Sequence, residues 1–283
     1  MISIVVSSYR SNFFEQFCCS VEDTIGVEYE IIKIDNPNLM GICEAYNLGA
    51  SKANFTIILF SHEDVIFKSL NWGKEIKNIF NSDEKIGLIG LAGCKVKSCV
   101  PSGWYTERDK FLAYNFIQSN FKDPNLKSIN INITCTTEVA TIDGFFMVTK
   151  KEIVSKILFN ESLLKGYHGY DLDISLAVGQ NYKVVVSHLI KVEHLSLGTP
   201  DINWFQDILK VNENYNEILP IYTNNIKKSK TIEYDNLKFL LSYKKSNQIE
   251  FPNTLSLICK YYKNVGFFNF IKINLYIIYL NFR

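Results

Sequence analysis

The residues best equipped for chemistry stand at the end of an apolar run. TIILFSHED, Thr56 to Asp64, reads as a buried strand that stops abruptly at His62, Glu63 and Asp64. Carboxylates delivered to the end of a strand suit a metal ion or a phosphorylated ligand, because open α/β sheets bind ligands beyond the carboxyl ends of their strands. The competing reading is a surface turn, where acidic residues are common. A second acidic set, Asp171 and Asp173 in GYHGYDLD, precedes Ile174, Leu176, Ala177 and Val178 and so opens a helix. Acids are favoured there by the helix dipole whether or not a ligand is present. His194, in Val192-Glu193-His194, follows the strand-like run Tyr182 to Ser187. It is either an ordinary structural histidine or a metal ligand in a chain that already offers Asp64.

The elements that must position these groups alternate strand and helix. Ile2 to Ser8 is apolar and β-branched and ends in Ser7, Ser8 and Tyr9. Phe14, Phe17, Cys18, Val21 and Ile25 recur at helical spacing before Gly26, and Tyr29 to Ile34 is a second strand ending in Asp35 and Asn36. Gly41 to Ala53 reads as a helix with a small-residue face, and the TIILF strand follows. Parallel strands joined by right-handed crossovers point the same way, so Ser7 with Ser8, Asp35 with Asn36, and Glu63 with Asp64 are expected along one edge. That alignment favours a site over an isolated turn. Further on, Trp72 to Phe80 reads as a helix and Ile86 to Ala92 as a strand, with Gly87, Gly90 and Gly93 as close-packing glycines rather than a GxGxxG fingerprint. Lys95 to Thr134 is an irregular excursion of the kind that forms a binding loop or lid. Thr137 to Thr149 is expected as two strands around a sharp feature at Asp143 and Gly144, and Glu152 to Leu158 as a helix.

Bulk properties are those of a globular protein. The 283 residues are 47% hydrophobic and 21% charged, and a formal net charge of +1 gives no general attraction to nucleic acid. Seven scattered cysteines without CxxC pairs read as reduced thiols in a cytoplasmic protein, and Met1 runs directly into the first strand without a secretory leader. Beyond Thr199 the character changes. Trp204 to Leu219 reads as helix, lysines then outnumber acids, and the tail Val265 to Phe282 is aromatic and aliphatic but interrupted by Asn269, Lys272 and Asn274. A spanning helix needs about 20 mostly apolar residues. The tail is therefore expected to pack on the rest of the chain or on a second copy, with an anionic membrane surface as the alternative.

Together the stretches ISIVVSSYR, IIKIDN, GICEAYNLGASKANFTIILFSHEDV, EVATIDGFFMVTK, GYHGYDLDISLAVGQNYKVVV and VEH resemble GT-A fold glycosyltransferases of the family 2 type, as found in bacterial surface polysaccharide synthesis. The resemblance implies an α/β fold with a mostly parallel, Rossmann-like central sheet flanked by helices. Residues 1–200 would be the nucleotide-sugar-binding and catalytic domain, and 201–283 a mainly helical, basic and aromatic C-terminal extension. It also implies roles. Ser7, Ser8 and Tyr9 would line the nucleotide pocket, Asp35 would contact the base, and Asn47 with Gly49 would complete the wall. The DxD-type motif falls on His62, Glu63 and Asp64, with Asp64 as metal ligand, Glu63 near the ribose or metal, and His194 completing the metal site. Asp143 and Gly144 would face the donor sugar and acceptor, and Asp171 would be the catalytic carboxylate, with Asp173 next in line.

Two positions depart from that pattern: His62 stands for Asp, and Tyr170 stands where Glu is common. The QxxRW-like element of processive members is absent, which implies one sugar per binding event. The expected cofactor is a divalent cation, Mn2+ or Mg2+, and the expected partners are a nucleotide-sugar donor, UDP-linked, and a glycan or lipid-linked acceptor at the inner face of the cell membrane. A metal ion would neutralise the leaving diphosphate, and a carboxylate would take the proton of the attacking hydroxyl, in one inverting displacement. Two other classes stay open. A sugar nucleotidyltransferase would carry a Gly-rich, Arg-containing loop where this chain has SSYRSN, and a non-catalytic nucleotide- or carbohydrate-binding protein would keep the pocket without needing a base.

Overall fold

The computed structural model describes residues 1–120, 123–128, 135–196, 198, 200–223, 226–250 and 252–281. The first third of the chain follows the alternation in its sequence. Strand β1 (Ile2–Ser8) is almost wholly buried, and β2 (Tyr29–Asp35) and β3 (Ile57–His62) flank it in parallel. The register sets Ser8 opposite Asp35 and Ser7 opposite His62, so the three polar strand ends share one edge. Helices α1 (Ser11–Thr24) and α2 (Ile42–Lys52) form the crossovers. The short β4 (Val65–Phe67) follows β3 after a two-residue turn, and α3 (Trp72–Ser82) leads into β5 (Ile86–Gly90).

The central sheet has seven strands in the order Thr136–Val139, Lys183–Ser187, β5, Phe146–Lys150, β3, β1, β2. It is mixed. Three pairings are parallel, and three are antiparallel because Phe146–Lys150 and Thr136–Val139 run against their neighbours. Direction is invisible in such segments, since a strand buried on both faces is a continuous apolar run whichever way it points.

The irregular excursion is partly strand. Phe116–Asn120 pairs with Asp123–Ser128 and with Val192–His194, which in turn pairs with β4 in a four-stranded sheet. Residues 121–122 and 129–134 of that excursion, like Phe282 in the tail, lie outside the described residues. Helix α4 (Lys151–Val154) is shorter than its apolar spacing suggests, and α5 (Tyr170–Gly179) opens with the second acidic set.

Among the described residues of the C-terminal part, four helices follow: α6 (Ile202–Asn214), α7 (Lys230–Ser246), α8 (Thr254–Val265) and α9 (Phe267–Asn281). Leu237, Leu240, Ile258, Val265 and Ile273 join the core that holds Val5, Tyr46 and Phe60, so the inner faces of these helices bury their apolar groups against the sheet layer. Polar ties reinforce the junction. Lys97 Nζ, in the interior, donates to Ser102 O and Asn212 Oδ1 at 2.8 Å each, and Ser98 Oγ donates to Glu233 at 2.5 Å. No described helix is long and apolar enough to cross a membrane.

Candidate active site

The turn between β3 and β4 projects Asp64 toward two imidazoles. Asp64 Oδ1 lies 3.5 Å from His194 Nε2 and 3.9 Å from His62 Nδ1, and the three donor atoms fall within 4.8 Å of one another. His194 reaches this point because Val192–His194 pairs antiparallel with β4, and its ring stacks on Phe145 with centroids 4.8 Å apart. Asp64 Oδ1 is buried and makes no hydrogen bond of normal geometry. An orphaned carboxylate oxygen between two ring nitrogens is costly unless a cation completes it, so the donor set fits a divalent metal ion. Burial would raise the pKa of Asp64, but His194, His62 and the Ser196 hydroxyl outweigh it and hold the carboxyl below the usual carboxylate range. Burial pushes His62 below its ordinary value despite the Asp64 charge, which favours the neutral ring that can ligate.

Glu63 belongs elsewhere. Its carboxylate accepts Ser8 Oγ at 2.6 Å and the backbone N–H groups of Tyr9 and Arg10 at 3.2 and 3.1 Å, closing the turn that leads into α1. It is 5% exposed and absent from the three-donor set, contrary to the expected ligand role. Glu63 and Asp64 are the two residues of the turn that follows β3, and the turn sends Asp64 toward His62 and His194 and Glu63 toward the start of α1. Turn residues carry no strand periodicity, so the sequence alone does not choose between His62 and Glu63 as the partner of Asp64.

Of the expected nucleotide-pocket residues, Ser7 is partly exposed, Tyr9 is exposed and Ser8 is buried. Ser7 Oγ accepts from Asn36 Nδ2 at 3.2 Å, and Tyr9 is 63% exposed. Asp35 lies at the end of β2 on the same sheet edge, paired with Lys33 at 2.7 Å. Asn47, expected to complete the pocket wall, has its amide engaged within the fold. Its amide donates to Phe159 O and Glu161 at 2.9 Å each and accepts from Phe159 N–H at 3.0 Å, tying α2 to the segment before α5. Gly49 likewise serves packing, since a Cβ there would stand 2.1 Å from Val5 Cγ1.

The second acidic set divides. Asp171, at the start of α5, has its pKa pushed up to about 7 by burial first and by the neighbouring Asp143 charge second, opposed in part by backbone N–H groups including that of Gly144. Asp143 itself accepts Phe145 N–H at 3.1 Å. Asp173 is 2% exposed, and burial pushes it up to about 6 against hydrogen bonds from Tyr215 and Asn160. Two residues along a helix is about 200° of rotation, so Asp171 and Asp173 cannot face one ligand, and Asp173 is the interior member. Between the two halves of the site stands Tyr170. Its hydroxyl is 2.7 Å from His62 Nε2, and its ring lies on Gly144, where a Cβ would meet the hydroxyl oxygen at 2.2 Å. Residue 144 must be glycine for that approach.

A mixed α/β sheet with helices on its faces and a carboxylate and imidazole cluster at the ends of its first strands is the GT-A type of architecture. Residues 3–218 match the Glycosyltransferase like family, and the chain belongs to that family. Among solved structures, S. aureus TarS 1-349 in complex with UDP-GlcNAc is similar with a TM-score of 0.57 and 9% identity, over 94% of this chain and 81% of that one. GalNAc-T7 with UDP, GalNAc and Mn2+ is similar with a TM-score of 0.54 and 10% identity, over 93% of this chain but 55% of that one. The chain thus spans about half the length of that relative. At such identities the likeness is one of fold. No curated protein sequence matches the chain.

Proposed function

We propose that the protein transfers a sugar from a UDP-linked donor to a hydroxyl of a glycan or lipid-linked acceptor, inverting the anomeric centre and adding one sugar per binding event, in bacterial surface polysaccharide synthesis. The observation that supports this reading is the Tyr170 hydroxyl, 2.7 Å from His62 of the metal-competent set and on the residue that precedes Asp171, with the Asp143 charge felt by both His62 and Asp171. The UDP-GlcNAc of TarS and the UDP and Mn2+ of GalNAc-T7 support the choice of donor and ion.

In this reading Ser7, Tyr9 and Asp35 hold the nucleoside at the sheet edge, and Asp64, His194 and His62 hold a divalent cation. The cation, Mn2+ or Mg2+, supplies charge neutralisation for the departing diphosphate. Asp143 and the Gly144 backbone face the donor sugar and the acceptor in the same reading. Asp171 accepts the acceptor's hydroxyl proton as that oxygen attacks, which its raised pKa suits, because general-base efficiency is greatest when the pKa lies near the working pH. The C-terminal helices would bring the enzyme to the inner face of the cell membrane, where a lipid-linked acceptor is found.

Incubation with UDP sugars and Mn2+ tests the reading directly. Slow UDP release by the wild-type chain, abolished in Asp171→Asn while donor binding persists, is the expected result. Tight UDP-sugar binding without release under any acceptor would instead make this a binding protein.

A further inference from the structure

The outer faces of α8 and α9 present apolar groups where a water-facing helix would carry polar ones. On α8, Leu255 is 69% exposed, and Cys259 and Tyr262 follow it at helical spacing on the exposed side. On α9, Phe267, Phe268 and Leu275 are 73%, 79% and 61% exposed, with Ile271 on the same face. The inner faces are already spent: Leu257, Ile258, Tyr261, Val265 and Ile273 are buried in the core. The two exposed faces meet at the α8–α9 corner, where Gly266 turns the chain at φ +81° and Tyr262 and Phe270 rings come within 6.0 Å. A groove of about 580 Å3 opens there between Tyr262, Phe267 and Phe270, with Lys230 and Lys263 at its margin. Two asparagines of α9 turn their amides back onto the backbone: Asn274 donates to Phe270 O on its own helix, and Asn269 donates to Val265 O at the end of α8.

Charge decides what covers this face. Residues 252–281 contain Lys260, Lys263 and Lys272 and no Asp or Glu, although the whole chain is near neutral. Lys260 pairs with Glu213, while Lys263, Lys272 and, from α7, Lys230 are exposed around the aromatic corner. A second copy of this face would bring lysines against lysines. We propose that the α8–α9 corner docks on an anionic lipid bilayer, with Phe267 and Phe268 inserted at the interface and Lys230, Lys263 and Lys272 against the headgroups. Aromatic and aliphatic groups flanked by lysines are the chemistry of interfacial helices, in which buried apolar area and attraction to anionic headgroups add. The proposal rests on the membrane-side acceptor reading for its purpose, but not for its physics.

Flotation of the full chain with vesicles, without donor or acceptor, separates the two. The chain is expected to float with phosphatidylglycerol-containing vesicles and not with pure phosphatidylcholine. Phe267→Ser/Phe268→Ser and Lys263→Glu/Lys272→Glu should each weaken that binding by about tenfold or more, with circular dichroism and thermal melting unchanged because all four side chains are exposed. Absence of flotation, equal binding to neutral vesicles, or a concentration-dependent dimer lost in the Phe267/Phe268 variant would each overturn the proposal. UDP release would be untouched by any of these outcomes.

Discussion

His62 Nε2 and Tyr170 Oη stand 2.7 Å apart, although 108 positions separate them in the chain. These are the two residues at which the chain departs from the carboxylates of the pattern it resembles, and they depart together. Either atom can be the donor in this contact, and the tautomer in which Nε2–H donates to the phenol oxygen is the one that presents the Nδ1 lone pair toward Asp64, as a metal requires; Tyr170 is placed to hold it. The phenol is itself held between Gly144 and the ring of Tyr46, 5.8 Å away and edge-on.

Tyr170→Phe should therefore lower affinity for Mn2+ alone by about ten- to a hundredfold, the usual effect of removing a group that orients a ligand. Isothermal titration with the metal, in the absence of nucleotide, reads this directly. Unchanged affinity would mean that His62 needs no such support.

Two ring nitrogens and one carboxylate favour transition-metal ions over Mg2+, which prefers an all-oxygen, largely hydrated shell. Titration is expected to rank Mg2+ weakest and Mn2+ below Co2+. Asp64→Asn should abolish saturable binding of all three, and His62→Asp should narrow the gap between Mg2+ and Mn2+. Equal Mg2+ and Mn2+ binding by the wild type would refute the ranking while leaving a metal site in place.

Glu63→Ala separates a structural carboxylate from a ligand. It strands the Ser8 hydroxyl and the Tyr9 and Arg10 N–H groups, at a cost of about 1–3 kcal/mol for each group left without water or another partner. A clear drop in melting temperature with metal affinity retained is expected. Loss of metal binding in a chain that melts normally would restore Glu63 to the donor set.

Asp171 links pH to both rate and stability. Its folded pKa of about 7 lies above the ordinary 3.8, so a base of this kind is largely protonated below neutrality, and turnover should fall as pH drops through about 7. For stability the sign is opposite. A raised carboxylate pKa favours the protonated fold, so the cost of ionising Asp171 grows as pH rises from about 4 and is complete above about 7. Asp171→Asn should melt higher than wild type at pH 8 and at the same temperature near pH 4. Melting curves that stay parallel across this range would remove Asp171 as the perturbed group.

Local order was legible in the residues themselves. Hydrophobic spacing marked β1, α1, β2, α2 and β3, and the rule for parallel crossovers placed Ser7, Asp35 and Asp64 on one edge, where the register of β1 with β2 and β3 puts them. Asp171 was marked by its position ahead of an apolar helix. Partnership was not legible. Nothing in a one-dimensional pattern says that Phe146–Lys150 runs against β3, that His194 pairs with Val65 of β4 and so comes beside Asp64, or that Asn47 spends its amide on Phe159. The division between Asp171 and Asp173 follows from helical rotation, whereas that between Glu63 and His62 is made by the turn after β3, and in both cases only the packed neighbours decide which side is the site. Sequence periodicity specifies which way a side chain points relative to its own element; what it points at depends on contacts between distant segments, and those exist only once the sheets have closed.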